Sequence, residues 1–221
     1  MSRINCAWAE LVLFDLDGTL ADTKSDLATA VNLTFADLGL PPLPETVIAG
    51  YVGDGIRKLI AKTLGESGSP RYAEALYLFR THYLTHLLDT TRFYPGMTTL
   101  LRRLSSRKRV VVTNKPMEYT SKILEGLDGG FYFELVIGSD PSTPLKPDPH
   151  MLKRALDHFD IPPARAIMVG DGVNDIVAAR ALGVRSCAVG YGLAPSVLLQ
   201  SAAPDYFCAT VDELTVCLCG G

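Results

Sequence analysis

The chain has 221 residues, 48% hydrophobic and 20% charged, with a net charge of −3 at neutral pH. This is globular composition, long enough for one large domain or for a core with a smaller companion. The acidic balance argues against a nucleic-acid partner, and no apolar stretch is long enough to span a bilayer. The first strand is expected to start near Glu10, which leaves no room for a signal peptide, and the expected location is the cytoplasm. The five cysteines, Cys6, Cys187, Cys208, Cys217 and Cys219, are odd in number and scattered apart from the last two. They read as free thiols in a reducing compartment, because a closed zinc site needs four ligands and no second C-x-C pair or nearby His completes one.

Leu11–Phe14 is an unbroken apolar run, which predicts a parallel strand buried on both faces. It stops at Asp15-Leu16-Asp17-Gly18-Thr19. A parallel sheet has its binding crevice at the carboxyl ends of its strands, so Asp15 and Asp17 are expected at its lip. Two carboxylates in one place repel unless a cation lies between them or one keeps its proton. Mg2+, with its preference for hard oxygen ligands, is the natural cation. Taken alone, the Asp and Gly also fit a plain strand-end turn.

The pattern then becomes helical. Leu27, Val31, Thr34, Phe35 and Leu38 recur at helical spacing, Gly39 closes the run, and Asp22 or Thr23 is the expected N-cap. After Pro41, Pro42 and Pro44, helices are predicted over about 56–64 and 71–88, the second with Tyr72, Leu76, Phe79, Tyr83 and Leu87 on one face. No strand is predicted here, so the block reads as an insertion and not as a crossover helix. Residues 50–55, Gly-Tyr-Val-Gly-Asp-Gly, form a loop before a helix whose N–H groups can bind an anion, with Arg57 and Lys58 adding positive charge. A glycine turn before a solvated basic face fits equally well. His82 and His86 share the i, i+4 spacing of a metal pair but have no third ligand, and they read as parts of a half-exposed helix.

Phe93-Tyr94-Pro95-Gly96 marks the return to the sheet. A helix over 97–104 leads to a buried strand over 109–112 that ends in Thr113-Asn114-Lys115-Pro116, where a hydroxyl and an amide can donate to phosphoryl oxygens or simply cap the next helix. A third strand is predicted over 133–138. Prolines flank Lys146 and stiffen its loop, and a helix follows over 149–159 with Asp148 as cap. A fourth strand, 166–169, ends in Gly170-Asp171-Gly172-Val173-Asn174-Asp175, with its carboxylates about one helical turn apart. A helix over 176–182, a strand over 185–189, a helix near 195–201, a short strand at 206–207 and a helix from Val211 complete the chain.

Four strand ends thus carry Asp/Asp, Thr/Asn, Lys and Asp/Asp, in that order. In these motifs residues 11–189 resemble the haloacid dehalogenase (HAD) superfamily: LVLFDLDGTLAD as its first motif, Thr113 as its second, Lys146 as its third and GDxxxD at Gly170–Asp175 as its fourth. The resemblance implies an α/β fold, a doubly wound Rossmann-like parallel sheet over residues 1–21 and 93–221, with residues 22–92 as an inserted helical cap. It implies Mg2+-dependent hydrolysis of a phosphate monoester through an aspartyl-phosphate. Asp15 would be the nucleophile and Asp17 the general acid and then base, its like-charged neighbour helping to raise its pKa. Asp15, the backbone carbonyl of Asp17 and Asp171 would hold the metal, with Asp175 behind them. Thr113, Asn114 and Lys146 would hold the phosphoryl oxygens. Many related phosphatases have Ser where Gly172 stands. Asp17 argues against dehalogenation, which needs no protonated leaving group.

Within the family, GYVGDGIRKLI is most similar to phosphoglycolate phosphatases. That makes Gly55, Arg57 and Lys58 candidate substrate contacts, with Arg57 or Lys58 pairing a substrate carboxylate, and 2-phosphoglycolate or a similar small ester the first choice. Sugar phosphates, nucleotides and pyrophosphate are alternatives that only the cap can discriminate. A phosphonatase using Lys58 or Lys62, a phosphomutase and a non-catalytic phosphate-binding regulator are more distant ones. The implied partner is a small phosphorylated metabolite, with no nucleic acid or membrane, and the protein is expected to be a monomer or homodimer.

Overall fold

The structure is a computed structural model and describes residues 6–65 and 70–220. Along the chain the strands are β1 (Leu11–Phe14), β2 (Ala21–Asp22), β3 (Arg92–Phe93), β4 (Lys108–Pro116), β5 (Leu135–Ser139), β6 (Ala166–Gly170), β7 (Arg185–Val189) and β8 (Tyr206–Cys208). The helices are α1 (Lys24–Asp37), α2 (Glu45–Ala49), α3 (Ile56–Thr63), α4 (Tyr72–His86), α5 (Met97–Arg103), α6 (Met117–Gly126), α7 (His150–Phe159), α8 (Val173–Leu182), α9 (Ser196–Ser201) and α10 (Val211–Cys219).

Six strands form one sheet in the order β5-β4-β1-β6-β7-β8, and each pairing is parallel. The expected doubly wound α/β architecture is the observed one. Its cause is visible in the apolar runs: Val12 and Phe14 pack with Val111, Ile167 and Val169, while Leu11 and Leu13 pack with Val110, Val112 and Met168 in a second cluster. Side chains alternate across a strand, so a continuous apolar run is stable only where both faces are covered. Each fully buried aliphatic side chain contributes roughly 1.5–3 kcal/mol.

The register places the functional strand ends together. Phe14 pairs with Val111 on one side and Val169 on the other. The residues that follow, Asp15, Thr113 and Asp171, therefore emerge at one edge, beside the point where the strand order reverses.

The helices α1 to α4 lie between β2 and β3, which pair antiparallel with Ala21 opposite Phe93 and Asp22 opposite Arg92. This ribbon corrects the expectation of no strand in 22–92. Two-residue strands are too short to carry a periodic signal, and the same holds for the five-residue α2, which was also missed. Thr23 stands at the expected N-cap position of α1 without a side-chain cap bond, and Asp22 is the one that meets the helix's first N–H. Thr23 Oγ1 instead donates to Asp17 Oδ1 at 2.6 Å, while Asp22 Oδ1 accepts from the Lys24 N–H at 3.2 Å. Asp26, buried in the first turn of α1, binds the returning chain: it accepts from Thr90 N, Thr90 Oγ1 and Thr91 N at 2.6–3.1 Å. At the C-terminus Thr210 Oγ1 caps α10 by accepting from Glu213 N at 3.1 Å.

Candidate active site

The turn after β1 brings backbone against the carboxylate that ends β6. Gly18 has φ +74°, and a Cβ there would collide with the Asp171 carboxylate, so glycine is required both by conformation and by space. A Cβ on Gly170 would likewise run into Asp175. These close approaches pull the acids of two strand ends into one cluster. One carboxylate oxygen from each of Asp15, Asp171 and Asp175 lies within 4.8 Å of the other two, and all three residues are buried.

Each acid is held from several sides. Asp15 Oδ1 accepts from Leu16 N at 2.7 Å and lies 3.2 Å from Lys146 Nζ. Asp171 accepts from Leu193 N at 2.7 Å and from Thr19 Oγ1 at 3.1 Å. Asp175 accepts from Lys146 Nζ at 2.6 Å and from Gly172 N at 3.1 Å. Gly172 thus contacts Asp175 through its backbone. Lys146 also donates to Val112 O at 2.7 Å.

Three carboxylates around one ammonium leave an excess of negative charge. Burial and the Asp15 carboxylate push Asp171 up to about 8. Burial pushes Asp175 up as well, against the pull of Lys146. For Lys146, burial disfavours the charged form, but the Asp15 and Asp175 carboxylates outweigh it and hold the ammonium above its usual range. A buried, oxygen-only donor set with surplus negative charge fits a hard divalent cation of the Mg2+ kind.

Asp17 sits apart from this trio. Lys115 Nζ donates to both its oxygens at 2.9 and 3.1 Å, and the same ammonium lies 4.7 Å above the Tyr83 ring of α4. Asp17's close partner is therefore a buried cation, in place of the like charge expected from the sequence. Lys115 was overlooked because the strand was predicted to stop at Val112; β4 continues to Pro116 and carries Lys115 inward. Thr19 was missed as well, although it directly follows the Asp-Gly turn.

Thr113 is buried, and its Oγ1 accepts from Lys115 N at 3.2 Å, which leaves its own proton to donate into the cavity it lines with Asp15, Asp17 and Gly55. Asn114 is used differently from the expectation. Its Nδ2 donates to Gly53 O and Lys146 O, both at 2.9 Å, and its Oδ1 accepts from Lys146 N at 2.8 Å. The amide fixes the Lys146 loop and the insertion's glycine loop, and is spent on backbone instead of a phosphoryl oxygen.

A cleft of about 240 Å³ opens between the acids and the insertion, with Asp15, Lys146 and Asp171 on one wall and Gly53, Asp54 and Lys62 on the other. Asn174 Nδ2 donates to Asp54 Oδ1 at 2.8 Å, and Lys62 Nζ to Asp54 Oδ2 at 2.7 Å. Of the expected substrate contacts, Gly55 reaches the acid-lined cavity, while Arg57 and Lys58 are exposed and line neither acid-lined cavity. Helical phase is the reason: α3 buries Leu59, Ile60 and Thr63, so Arg57, Lys58 and Lys62 lie on its exposed side, and only Lys62, paired with Asp54, reaches the rim of the cleft. His82 and His86 pair with Asp37 and Asp89, each at 2.7 Å, as expected of a helix surface.

The sequence profile described as Haloacid dehalogenase-like hydrolase matches residues 12–189. The chain belongs to this family. Among other members of the haloacid dehalogenase-like hydrolases, it is 36% identical over 215 residues to a phosphoglycolate phosphatase of Neisseria meningitidis, covering 93% of this chain and 92% of the relative. It is 39% identical over 188 residues to a phosphoglycolate phosphatase of Nitrosospira multiformis, covering 82% and 83%. The crystal structure of a predicted phosphoglycolate phosphatase from Haemophilus somnus superposes with a TM-score of 0.85 at 26% identity, covering 94% of this chain and 96% of that one.

Proposed function

We propose that this hydrolase removes phosphate from a small phosphate monoester through an aspartyl-phosphate on Asp15, with Mg2+ as cofactor and 2-phosphoglycolate as the first-choice substrate. The observation that carries the reading is the buried cluster of Asp15, Asp171 and Asp175 around Lys146, at the carboxyl edge of a parallel sheet. The names of the similar proteins support the choice of substrate.

In this mechanism the Asp15 carboxylate attacks phosphorus and the leaving oxygen takes a proton from Asp17. Asp17 then takes a proton from the water that hydrolyses the aspartyl-phosphate. Lys115 and Thr23 hold the Asp17 carboxylate in place for both transfers. Thr113 and Lys146 donate to the phosphoryl oxygens as charge spreads over them, and Asn114 holds the loop that presents Lys146. Asp15, the Asp17 carbonyl and Asp171 would hold Mg2+, with Asp175 behind them; bound there, the ion withdraws charge from the phosphoryl group and screens it from the attacking carboxylate. Residues 22–92 act as a cap over a core of residues 1–21 and 93–221, and the cap excludes water and selects the leaving group. The setting is the cytoplasm, with a monomer or homodimer acting on a small metabolite.

The test is hydrolysis of p-nitrophenyl phosphate with Mg2+. Asp15→Asn should lose roughly a thousandfold or more of turnover, about 4 kcal/mol of barrier, with an unchanged circular dichroism spectrum; normal turnover in that variant overturns the reading. A screen of small phosphomonoesters, repeated on Arg57→Ala, Lys58→Ala and Lys62→Ala, tests the substrate. Failure of 2-phosphoglycolate to rank first would move the choice to a sugar phosphate or nucleotide.

A further inference from the structure

Four thiols converge at the opposite flank of the sheet from β5. Cys187 lies on β7, Cys208 on β8, Cys217 on α10 and Cys6 in the segment before β1, and each is at most 2% exposed. All four are free cysteines, and none has a part in the chemistry proposed above. The Sγ atoms of Cys187, Cys208 and Cys217 lie within 4.8 Å of one another. Cys187 and Cys208 are separated by 3.7 Å, and Cys6 Sγ is 3.2 Å from Cys217 Sγ. A tetrahedral zinc ion bonded to sulfur at about 2.3 Å sets its sulfur atoms roughly 3.8 Å apart, close to the Cys187–Cys208 spacing. The backbone reinforces the arrangement, since Cys6 N donates to Cys217 O at 2.7 Å.

Charge on the flank is mixed: the Glu213 carboxylate acts on Cys208, and a guanidinium acts on Cys6. The Arg185 guanidinium lies 5.2 Å over the Trp8 ring and donates to Tyr206 Oη at 2.8 Å, close enough to Cys6 to act on its charge. A cation there offsets the net negative charge that four thiolates would leave around a divalent ion. Single buried cysteines are ordinary small apolar residues. Three of them, brought together from β7, β8 and α10, with Cys6 against Cys217, make a cluster of soft donors.

We propose that Cys187, Cys208 and Cys217, with Cys6 as the fourth ligand, form a structural site for one Zn2+ ion. Binding replaces one thiol proton per sulfur by a metal–sulfur bond and releases those protons to solvent. The ion would tie the N-terminal segment, the edge strand β8, its neighbour β7 and α10 to one another.

Cobalt(II) titration of the full chain, reduced and handled without oxygen, tests this. Saturation at one equivalent is expected, with a sulfur-to-cobalt charge-transfer band and strong tetrahedral ligand-field bands, both bleached by Zn2+. Cobalt held by the carboxylate cluster has no sulfur and gives no such band, so the outcome is independent of the phosphatase reading. Cys208→Ser should weaken cobalt binding at least tenfold, and Cys219→Ser, outside the cluster, should leave it unchanged. Absence of the charge-transfer band in the wild-type chain at saturating cobalt overturns the proposal, whatever the variants do. So does a band of full strength in both Cys208→Ser and Cys217→Ser.

Discussion

At the scale of single residues, Asp171 shows how burial and charge turn an ordinary carboxylate into a reporter. Its ordinary value is near 3.9, and burial beside Asp15 holds it at about 8 in the folded chain. With the folded value above the unfolded one, its contribution to stability is full below about pH 4 and is lost as pH rises through about 8. A divalent cation that takes the ionised form reverses that loss. Thermal melts in chelator should therefore fall between about pH 6 and about pH 8.5, and Mg2+ should raise the melting temperature more at the higher pH. An equal Mg2+ effect at both would remove Asp171 from the metal site. The acids themselves were legible, since Asp-x-Asp-Gly and Gly-Asp at the ends of apolar runs are local patterns. Lys115, Thr19 and the real partners of Asn114 were not, because each depends on where a distant segment comes to rest.

At the scale of elements, the ribbon of β2 and β3 and the Asp26 contact to Thr90 and Thr91 bring together the two ends of the segment that holds α1 to α4. Burial works against the Asp26 carboxylate, and the donors of Thr90 and Thr91 more than offset it, holding its pKa below the usual range. Its stabilisation is present above about pH 4 and is lost as pH falls through its lower folded value. Asp26→Asn should cost about 1.5–3 kcal/mol in urea unfolding at neutral pH, and the gap to the wild type should narrow in acid. A constant gap would mean that shape rather than charge matters at this position. Nothing in the local pattern distinguishes Asp26 from a solvated first-turn acid; only the return of the chain at Thr90 makes it a latch.

At the scale of the whole molecule, two amides tie the glycine loop of residues 50–55 to the strand ends. Asn114 reaches Gly53 O and Asn174 reaches Asp54, so the glycine loop is fixed above the acids. Removing the Asn174 contact should favour an open cleft. Loss of one such bond is worth about 0.5–1.5 kcal/mol, so Asn174→Ala should raise KM for the best substrate roughly 2- to 10-fold, with little change in melting temperature. An unchanged KM would show that closure does not use this contact. The cysteine cluster belongs to the same scale, since Cys6 and Cys217 are 211 positions apart in the chain and only 3.2 Å apart in space.

What the amino-acid order determined alone was periodic or punctuated: the buried strands, the longer helices, the acids at the strand ends and the family they resemble. Hydrophobic periodicity and turn chemistry act over a few residues, so they can be read locally. The tertiary structure decided which groups meet. It left Arg57 and Lys58 on an exposed helix face, paired Lys62 with Asp54 at the cleft rim, gave Asp17 an ammonium for a partner, and gathered four scattered thiols at one flank. Those outcomes depend on register, helical phase and chain closure, which arise only when segments far apart in sequence pack against each other.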